Sequence, residues 1–180
     1  MAQETWQLDP IHSSITFSIR HLVISKVHGR FGKWTGTVQL DKDLAASFVE
    51  VKIDAASIDT NEPQRDAHLR SADFFHVNRF PEISFSTTRI ESLGENQYRV
   101  SGDLTMHGVT RHVVLEAEEN GRVKDPWGND RIGFGAKAAI DRKDFGLTFN
   151  QTLDAGGLML GDRVDITIEV EALKAAQVAA

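Results

Sequence analysis

Apolar and polar residues alternate with a period of two over most of this chain. Between 11 and 21, Ile11, Ile15, Phe17 and Ile19 are apolar, while Ser14, Thr16, Ser18 and Arg20 are polar, as in a half-buried strand. Between 32 and 40, Trp34, Val38 and Leu40 alternate with Lys33, Thr35, Thr37 and Gln39. Between 47 and 53, Val49, Val51 and Ile53 alternate with Glu50 and Lys52. Runs at 83–89, 98–106 and 109–117 behave alike, with Phe85 and Val100 on their apolar phases. Ile132, Phe134, Ala136, Ala138 and Ile140 share one face, and Val164, Ile166, Ile168 and Val170 share another. With a short run at 5–9, the pattern predicts eight or nine strands.

Turn chemistry separates the runs: Gly29, Gly94-Glu95-Asn96, His107-Gly108, Asn120-Gly121 and Pro126-Trp127-Gly128-Asn129. Short connections favour antiparallel neighbours, and clean alternation implies one wet face. One segment differs. Asn61 is a capping-type residue and Pro63 suits a first helical turn, so a short helix is expected at about 62–73. Arg65, His68, Leu69 and Ala72 would share a face of it, with Phe74 and Phe75 at its end.

The expected fold is all-β, a single domain over 1–180, and either a closed barrel or a sandwich. Eight strands can close around one small ligand, and closure removes the exposed edges of an open sheet. Small inward residues, Gly102, Ala136 and Ala138, stand beside Phe17, Trp34, Phe85 and Phe134. They would either leave a cavity or fit the taper of a filled barrel, and the residues leave both open.

Composition mostly excludes. The 180 residues are 41% hydrophobic and 26% charged, the balance of a globular chain rather than a disordered one. Without cysteine there is no disulfide framework, thiol nucleophile or iron–sulfur cluster. A formal charge of -6 with no long basic run argues against nucleic-acid binding. No apolar run approaches the ~20 residues needed to span a bilayer, so no membrane insertion is expected. Neither a basic nor an apolar leader region is visible from Met1 to Trp6. The protein is expected in the cytoplasm, or in the periplasm or secreted if a leader has been removed. One ratio is unusual: ten Phe against one Tyr, aromatic surface with little hydrogen-bonding demand.

Catalytic and metal motifs are missing. The seven histidines are scattered, the nearest pair being His107 and His112, and no metal site is expected. Asp41 with Asp43 and Glu116 with Glu118 read as solvated strand acids rather than an acid/base dyad. His12, after Pro10, reads as a turn cap in preference to a pocket group. Arg65 and His68 are the notable polar groups, turned to the same side as Leu69: either they contact a ligand, or the helix docks through Leu69 and Ala72 with Arg65 paired to a surface acid.

Several motifs in order carry a resemblance. The run Asn61…Arg65-Asp66-x-His68-Leu69-x-Ser71…Phe74-Phe75…Phe80-Pro81-x-Ile83-x-Phe85 resembles the signature of the YceI-like family of polyisoprenoid-binding, lipocalin-like proteins. Trp6-x-Leu8-Asp9-x-x-His12-Ser13 is similar to the family's opening, and Gly102-x-Leu104-Thr105-x-His107-Gly108-Val109-Thr110 to its central hairpin. Ile140-Asp141-Arg142-x-Asp144-Phe145-Gly146-Leu147 and Gly161-Asp162-x-Val164 are similar to its C-terminal part, so the match spans about 5–173.

The resemblance implies an extended antiparallel barrel of about eight strands, with a helix at the side or mouth. It implies an apolar tunnel for a polyisoprenoid chain such as a quinone tail or polyprenyl phosphate, carried or stored. No catalytic residue carries over and no cofactor is implied, although a polyisoprenoid lipid or quinone would co-purify. Phe17, Ile19, Trp34, Val38, Leu69, Phe74, Phe85, Val100, Phe134, Ala138, Phe145, Leu147 and Phe149 become candidate tunnel lining. A prenyl tail binds through area, at ~0.8 kcal/mol per buried CH₂. Arg65, His68 and Arg142 are candidate head-group donors, because guanidinium and imidazole can donate to carbonyl or phosphate oxygens. Eight tilted strands give a barrel of order ~25 Å, so a long chain would bend or protrude, and a homodimer could shield it. Two other classes remain open: an enzyme acting on a prenyl or quinone substrate, and a structural or interaction domain with a filled barrel.

Overall fold

The alternating runs become strands in the computed structural model, which describes residues 3–154 and 156–176. Met1 and Ala2, part of the chain start read for a leader, lie outside them. The strands are β1 (Glu4–Leu8), β2 (Ser14–His21), β3 (Ser25–Phe31), β4 (Trp34–Leu40), β5 (Phe48–Asp54), β6 (Ile58–Asp59), β7 (Glu82–Gly94), β8 (Gln97–Met106), β9 (Val109–Lys124), β10 (Asp130–Asp141) and β11 (Leu160–Lys174).

Pairing registers reduce these to eight staves. Along β11, the first half pairs with β2, Val164 opposite Ile19, and the last residues pair with β1, Ala172 opposite Leu8. So β1 and β2 are one interrupted stave. β3 and β4 form the next, pairing with β2 and β1 respectively. β5 and β6 form a third, against β4 and β3. β7, β8, β9 and β10 follow as antiparallel neighbours, and β10 pairs with β11. The sheet therefore closes into an antiparallel barrel, which removes the sheet edges that would otherwise recruit another chain.

The breaks have local causes. After β1, Pro10 opens a 3₁₀ turn whose first free amide, Ile11 N, donates to the Asp9 carboxylate at 3.1 Å. Ile11 thus leaves the strand that its alternation predicts and is 88% exposed. After β5, Asp54 likewise accepts from Ala56 N at 3.0 Å.

Two glycine readings change. Gly29 is not a turn but lies inside β3, directly opposite Phe17, and the expected strand count misses β3 for that reason. Asn120-Gly121 stays within β9 as a bulge; Gly121 takes φ 138° where the pairing with β10 shifts register between Gly133 and Phe134. The turns at 94–96, 107–108 and 126–129 do reverse the chain.

The helix is α1 (Pro63–Arg70), shorter than expected. Its cap is Glu62 rather than Asn61: the Glu62 carboxylate accepts from Gln64 N at 3.2 Å and Arg65 N at 2.6 Å, and Asn61 precedes it at φ 65°. Buried Asp66 ties the helix to the barrel by accepting from Thr60 N at 2.9 Å and Thr60 Oγ1 at 2.5 Å. One turn further on, Arg70 donates to Ala56 O at 2.8 Å and Ile58 O at 3.1 Å. The helix is thereby anchored over the break between β5 and β6. No helix among the described residues is long and apolar enough to cross a membrane.

Candidate functional site: an apolar cavity inside the barrel

The inward faces do not fill the barrel. A cavity of about 470 Å³ runs along them, within the ~300–1,000 Å³ range of small-molecule sites. Its wall is almost wholly apolar: Phe17 and Ile19 from β2, Phe85 from β7, Val100 from β8, Phe134 and Ala138 from β10, Ile166 and Ile168 from β11. Most of these side chains are only half-buried although they point inward, because their exposed surface faces the cavity.

Glycines keep the large rings against the wall. A Cβ at Gly29 would overlap the Phe17 ring, which lies over the bare backbone of its cross-strand partner. A Cβ at Gly102 would come within 2.5 Å of the Phe85 ring. The end of each Phe ring therefore rests over a glycine of the neighbouring strand, a pairing that also covers the glycine's exposed backbone. The small inward residues noticed in the sequence coincide with a cavity rather than a filled taper.

Most expected lining residues come together. Phe17, Ile19, Val38, Leu69, Phe74, Phe85, Val100, Phe134, Ala138, Leu147 and Phe149 all border the cavity. Trp34 and Phe145 do not. Trp34 is 5% exposed and packed in the filled core, and Phe145 is 1% exposed on a 3₁₀ turn at 142–145. Phe145 faces away because its turn follows the end of β10, where strand alternation no longer applies. Its carbonyl lies 3.0 Å from His107 Nδ1, which links the β8–β9 turn to this segment.

One set of polar groups lies where α1 meets the wall; Asp41, Ser47, Tyr98, Glu119 and Arg122 border the cavity elsewhere. His68 packs edge-on against Phe74 and Phe149 at 5.0 and 4.9 Å, and its Nε2 lies 2.8 Å from Asp73. Arg65 donates to Thr60 Oγ1 and Thr60 O, both at 2.7 Å. Arg142 is 3% exposed, and burial pulls its guanidinium below its ordinary value. Its Nη1 donates to Leu147 O at 2.6 Å and Phe149 O at 2.8 Å, and its Nε to Gly161 O at 2.8 Å. Arg142 thus first folds the segment after β10 onto the barrel. Nη2 is left without a hydrogen-bond partner, 3.9 Å from an equally unpartnered Asp162 Oδ1. Thr60, which the sequence does not single out, and Asp66, which stands out only within the family motif, hold this corner; a carboxylate six residues from its threonine partner leaves no period to detect.

A second polar cluster lies outside the wall. Asp9, His12 and Glu171 form the one group among the described residues close enough for a metal. A cation is already there: Arg131 bonds Asp9 at 3.1 Å, Glu171 at 2.7 Å and Asp125 at 2.7 Å. His12 Nδ1 sits 2.7 Å from Asp9, and that bond, followed by Arg131, holds the Asp9 carboxyl below its usual value. Arg131 in turn holds Asp125 far below the carboxylate range. The cluster clamps the break between β1 and β2.

A closed barrel around an elongated apolar cavity, with one helix against its wall, is a lipocalin-like architecture. The chain belongs to the YceI-like family, whose domain model matches residues 6–172. A UPF0312 protein of Vibrio cholerae is 38% identical over 164 residues, covering 91% of this chain and 82% of that protein. A UPF0312 protein of Pseudomonas syringae pv. tomato is 40% identical over 163 residues, covering 88% and 80%. The Campylobacter jejuni YCEI protein superposes with a TM-score of 0.75 at 32% identity, over 87% of this chain and 90% of that one. A polyisoprenoid binding domain from Saccharophagus degradans, implicated in plant cell wall breakdown, matches with a TM-score of 0.67 over 94% and 98% of the chains. At 17% identity that last likeness concerns the fold.

Proposed function

We propose that the barrel sequesters one isoprenoid lipid chain and carries or stores it without chemical change. The observation that carries this reading is the chemistry of the cavity wall. Inward Phe, Ile, Val, Leu and Ala present methyl, methylene and ring surface that asks for no hydrogen bond. A prenyl tail matches such a wall, since every carbon it buries adds about 0.8 kcal/mol and nothing on it must be satisfied. The polyisoprenoid-binding description of the Saccharophagus degradans domain accords with that ligand class.

The head group belongs at the α1 end, where Arg65, His68 and Arg142 border the cavity. Arg142 is the chief donor in this proposal. Three of its contacts fix the side chain to backbone carbonyls, so Nη2 is pre-positioned and free for a carbonyl or phosphate oxygen. Arg65 and His68 flank it at the wall, although Thr60 and Asp73 already engage them.

Organic extraction of the protein purified from cells, followed by mass spectrometry, tests the proposal. A prenyl lipid at near-stoichiometric amount is expected. A consistently empty extract, with no binding of added prenylquinone, would overturn it.

A further inference from the structure

The β2–β3 hairpin breaks a local rule. Its turn places Leu22 at φ 53° and Val23 at φ 65°. That backbone favours Asn and Gly, and the β8–β9 turn meets the same demand with His107 at 55° and Gly108 at 73°. A γ-branched and a β-branched residue occupy the strained positions of β2–β3 instead, and both project into solvent. Leu22 is 37%, Val23 65% and Ile24 83% exposed. Leu158, 41% exposed, lies in the loop just beyond, where Leu22 N donates to Met159 O at 2.8 Å. Single exposed apolar residues are ordinary, but four gathered on one rim are not.

The patch sits at the cavity. His21 and Met159, the residues beside the tip, both belong to the cavity wall. Its surroundings are basic. From Pro10 to Leu40 the chain, net acidic at -6 over its full length, has no Asp or Glu. Arg20 and Lys26 face each other across the hairpin below the tip, both exposed, and His28 and Arg30 continue the outer face of β3. Of the acids on adjoining elements, Asp59 pairs with Arg30, Asp162 with Lys143 and Asp165 with Arg163, which leaves Asp154 of the Leu158 loop as the exposed acid nearest the patch in sequence.

We propose that this tip docks the protein on an anionic membrane surface. Leu22, Val23 and Ile24 enter the boundary between headgroups and acyl chains, and Arg20 and Lys26 rest against the lipid phosphates. An apolar tip backed by cations is what interfacial binding requires, because buried area and attraction to anionic lipid add. The contact is interfacial and spans nothing. It turns the rim at His21 and Met159 toward the bilayer, so an isoprenoid can pass between membrane and cavity with little exposure to water. The inference rests on the carrier reading above.

The test uses the full chain and vesicles of phosphatidylcholine with or without about 30% phosphatidylglycerol. Co-sedimentation is expected with the anionic vesicles, weaker with the neutral ones and reduced by salt. Val23→Ser with Ile24→Ser, and separately Arg20→Glu with Lys26→Glu, should each lower partitioning roughly tenfold. Neither pair borders the cavity, so uptake of a water-dispersed prenylquinone, followed without vesicles, should match the parent chain. Equal sedimentation of parent and variants overturns the proposal, as does no sedimentation of the parent. It is also overturned if the parent is a dimer in analytical ultracentrifugation that the Ser variant dissociates while neither binds vesicles; the patch is then a self-association surface. Loss of prenylquinone uptake by the parent, by contrast, counts against the carrier reading itself.

Discussion

Ile132 and Phe134 are next-but-one neighbours on the same inward face of β10, yet they meet opposite environments. Ile132 is 1% exposed, packed opposite Ala172 and part of the filled core. Phe134, two residues on, borders the cavity and stays half-exposed to it. Trp6, Trp34 and Phe145 belong with Ile132; Phe17, Phe85 and Val100 belong with Phe134. Period-two alternation identifies which side chains face inward and says nothing about whether the space before them is filled. What keeps it open is the pairing of a large ring with a glycine on the next strand, so that the ring adds to the wall rather than to the lumen.

The largest expected effect sets these two positions against each other. Ile132→Ala removes close-packed volume and should cost about 2–5 kcal/mol. Phe134→Ala deletes a larger side chain from a wall already facing empty space, and should cost under about 1.5 kcal/mol rather than the ~3–5 kcal/mol typical of a filled site. Denaturant unfolding of the ligand-free protein measures both. An order reversed in favour of Phe134 would mean that the barrel is filled around it.

The next effect concerns the cavity more than the fold. Ala138→Phe places a ring in the lumen with no glycine to lie on, and should abolish prenyl-lipid uptake while leaving the circular dichroism spectrum unchanged. Gly29→Ala works indirectly: the new Cβ displaces the Phe17 ring from its partner. It should cost about 1–3 kcal/mol and also reduce uptake. If Gly29→Ala destabilises the protein but leaves uptake intact, Phe17 has another place to go and the pairing does not hold the cavity open.

These contrasts show what was legible beforehand. The apolar phases of β2, β5, β7, β8, β10 and β11 could be read directly, as could three hairpins, the existence of the helix and, through its motifs, the family. β3 was hidden because Gly29 looks like punctuation; only the register against Phe17 explains a glycine in mid-strand. Ile11 followed the alternation into solvent because the Asp9 cap and Pro10 end the strand first. For the site, alternation found wall residues on strands and failed at Phe145, which is on a turn. Arg142 could be singled out by motif, but not the fact that three of its bonds hold a loop. That depends on Leu147, Phe149 and Gly161 folding back onto it.

A smaller effect lies on the filled side, at the clamp over the β1–β2 break. Asp9 and Asp125 carry lowered carboxyl values, so the stability they contribute is present above their unfolded-state pKa near ~4 and is lost as pH falls through the lower folded values. Arg131→Met removes the shared cation and leaves Asp9 and Asp125 without it beside Glu171, which raises the two aspartate values. The variant should have the lower Tm at neutral pH, and the gap should begin to narrow as pH drops below about 4 and close only as pH falls through the lowered folded values of Asp9 and Asp125, where the parent's carboxyls are protonated as well. Thermal unfolding across that range checks it. A gap that does not change with pH would assign the role of Arg131 to packing rather than charge.

The smallest effect has the opposite sign. Val23 holds a β-branched side chain at φ 65° without burying it, and relief of left-handed backbone strain is worth about 1–2 kcal/mol. Glycine gives back part of that through the freedom it adds to the unfolded chain, about 0.5–1 kcal/mol. Val23→Gly should therefore stabilise the barrel by a few tenths to about 1 kcal/mol, unlike the cavity-wall changes, while weakening attachment to anionic vesicles. Both are measurable on one preparation, by denaturant midpoint and by co-sedimentation. A variant that gains stability and binds vesicles as before would detach the strain at this turn from any membrane role. If stability and attachment move in opposite directions, the turn retains at its tip an apolar residue that folding alone would replace.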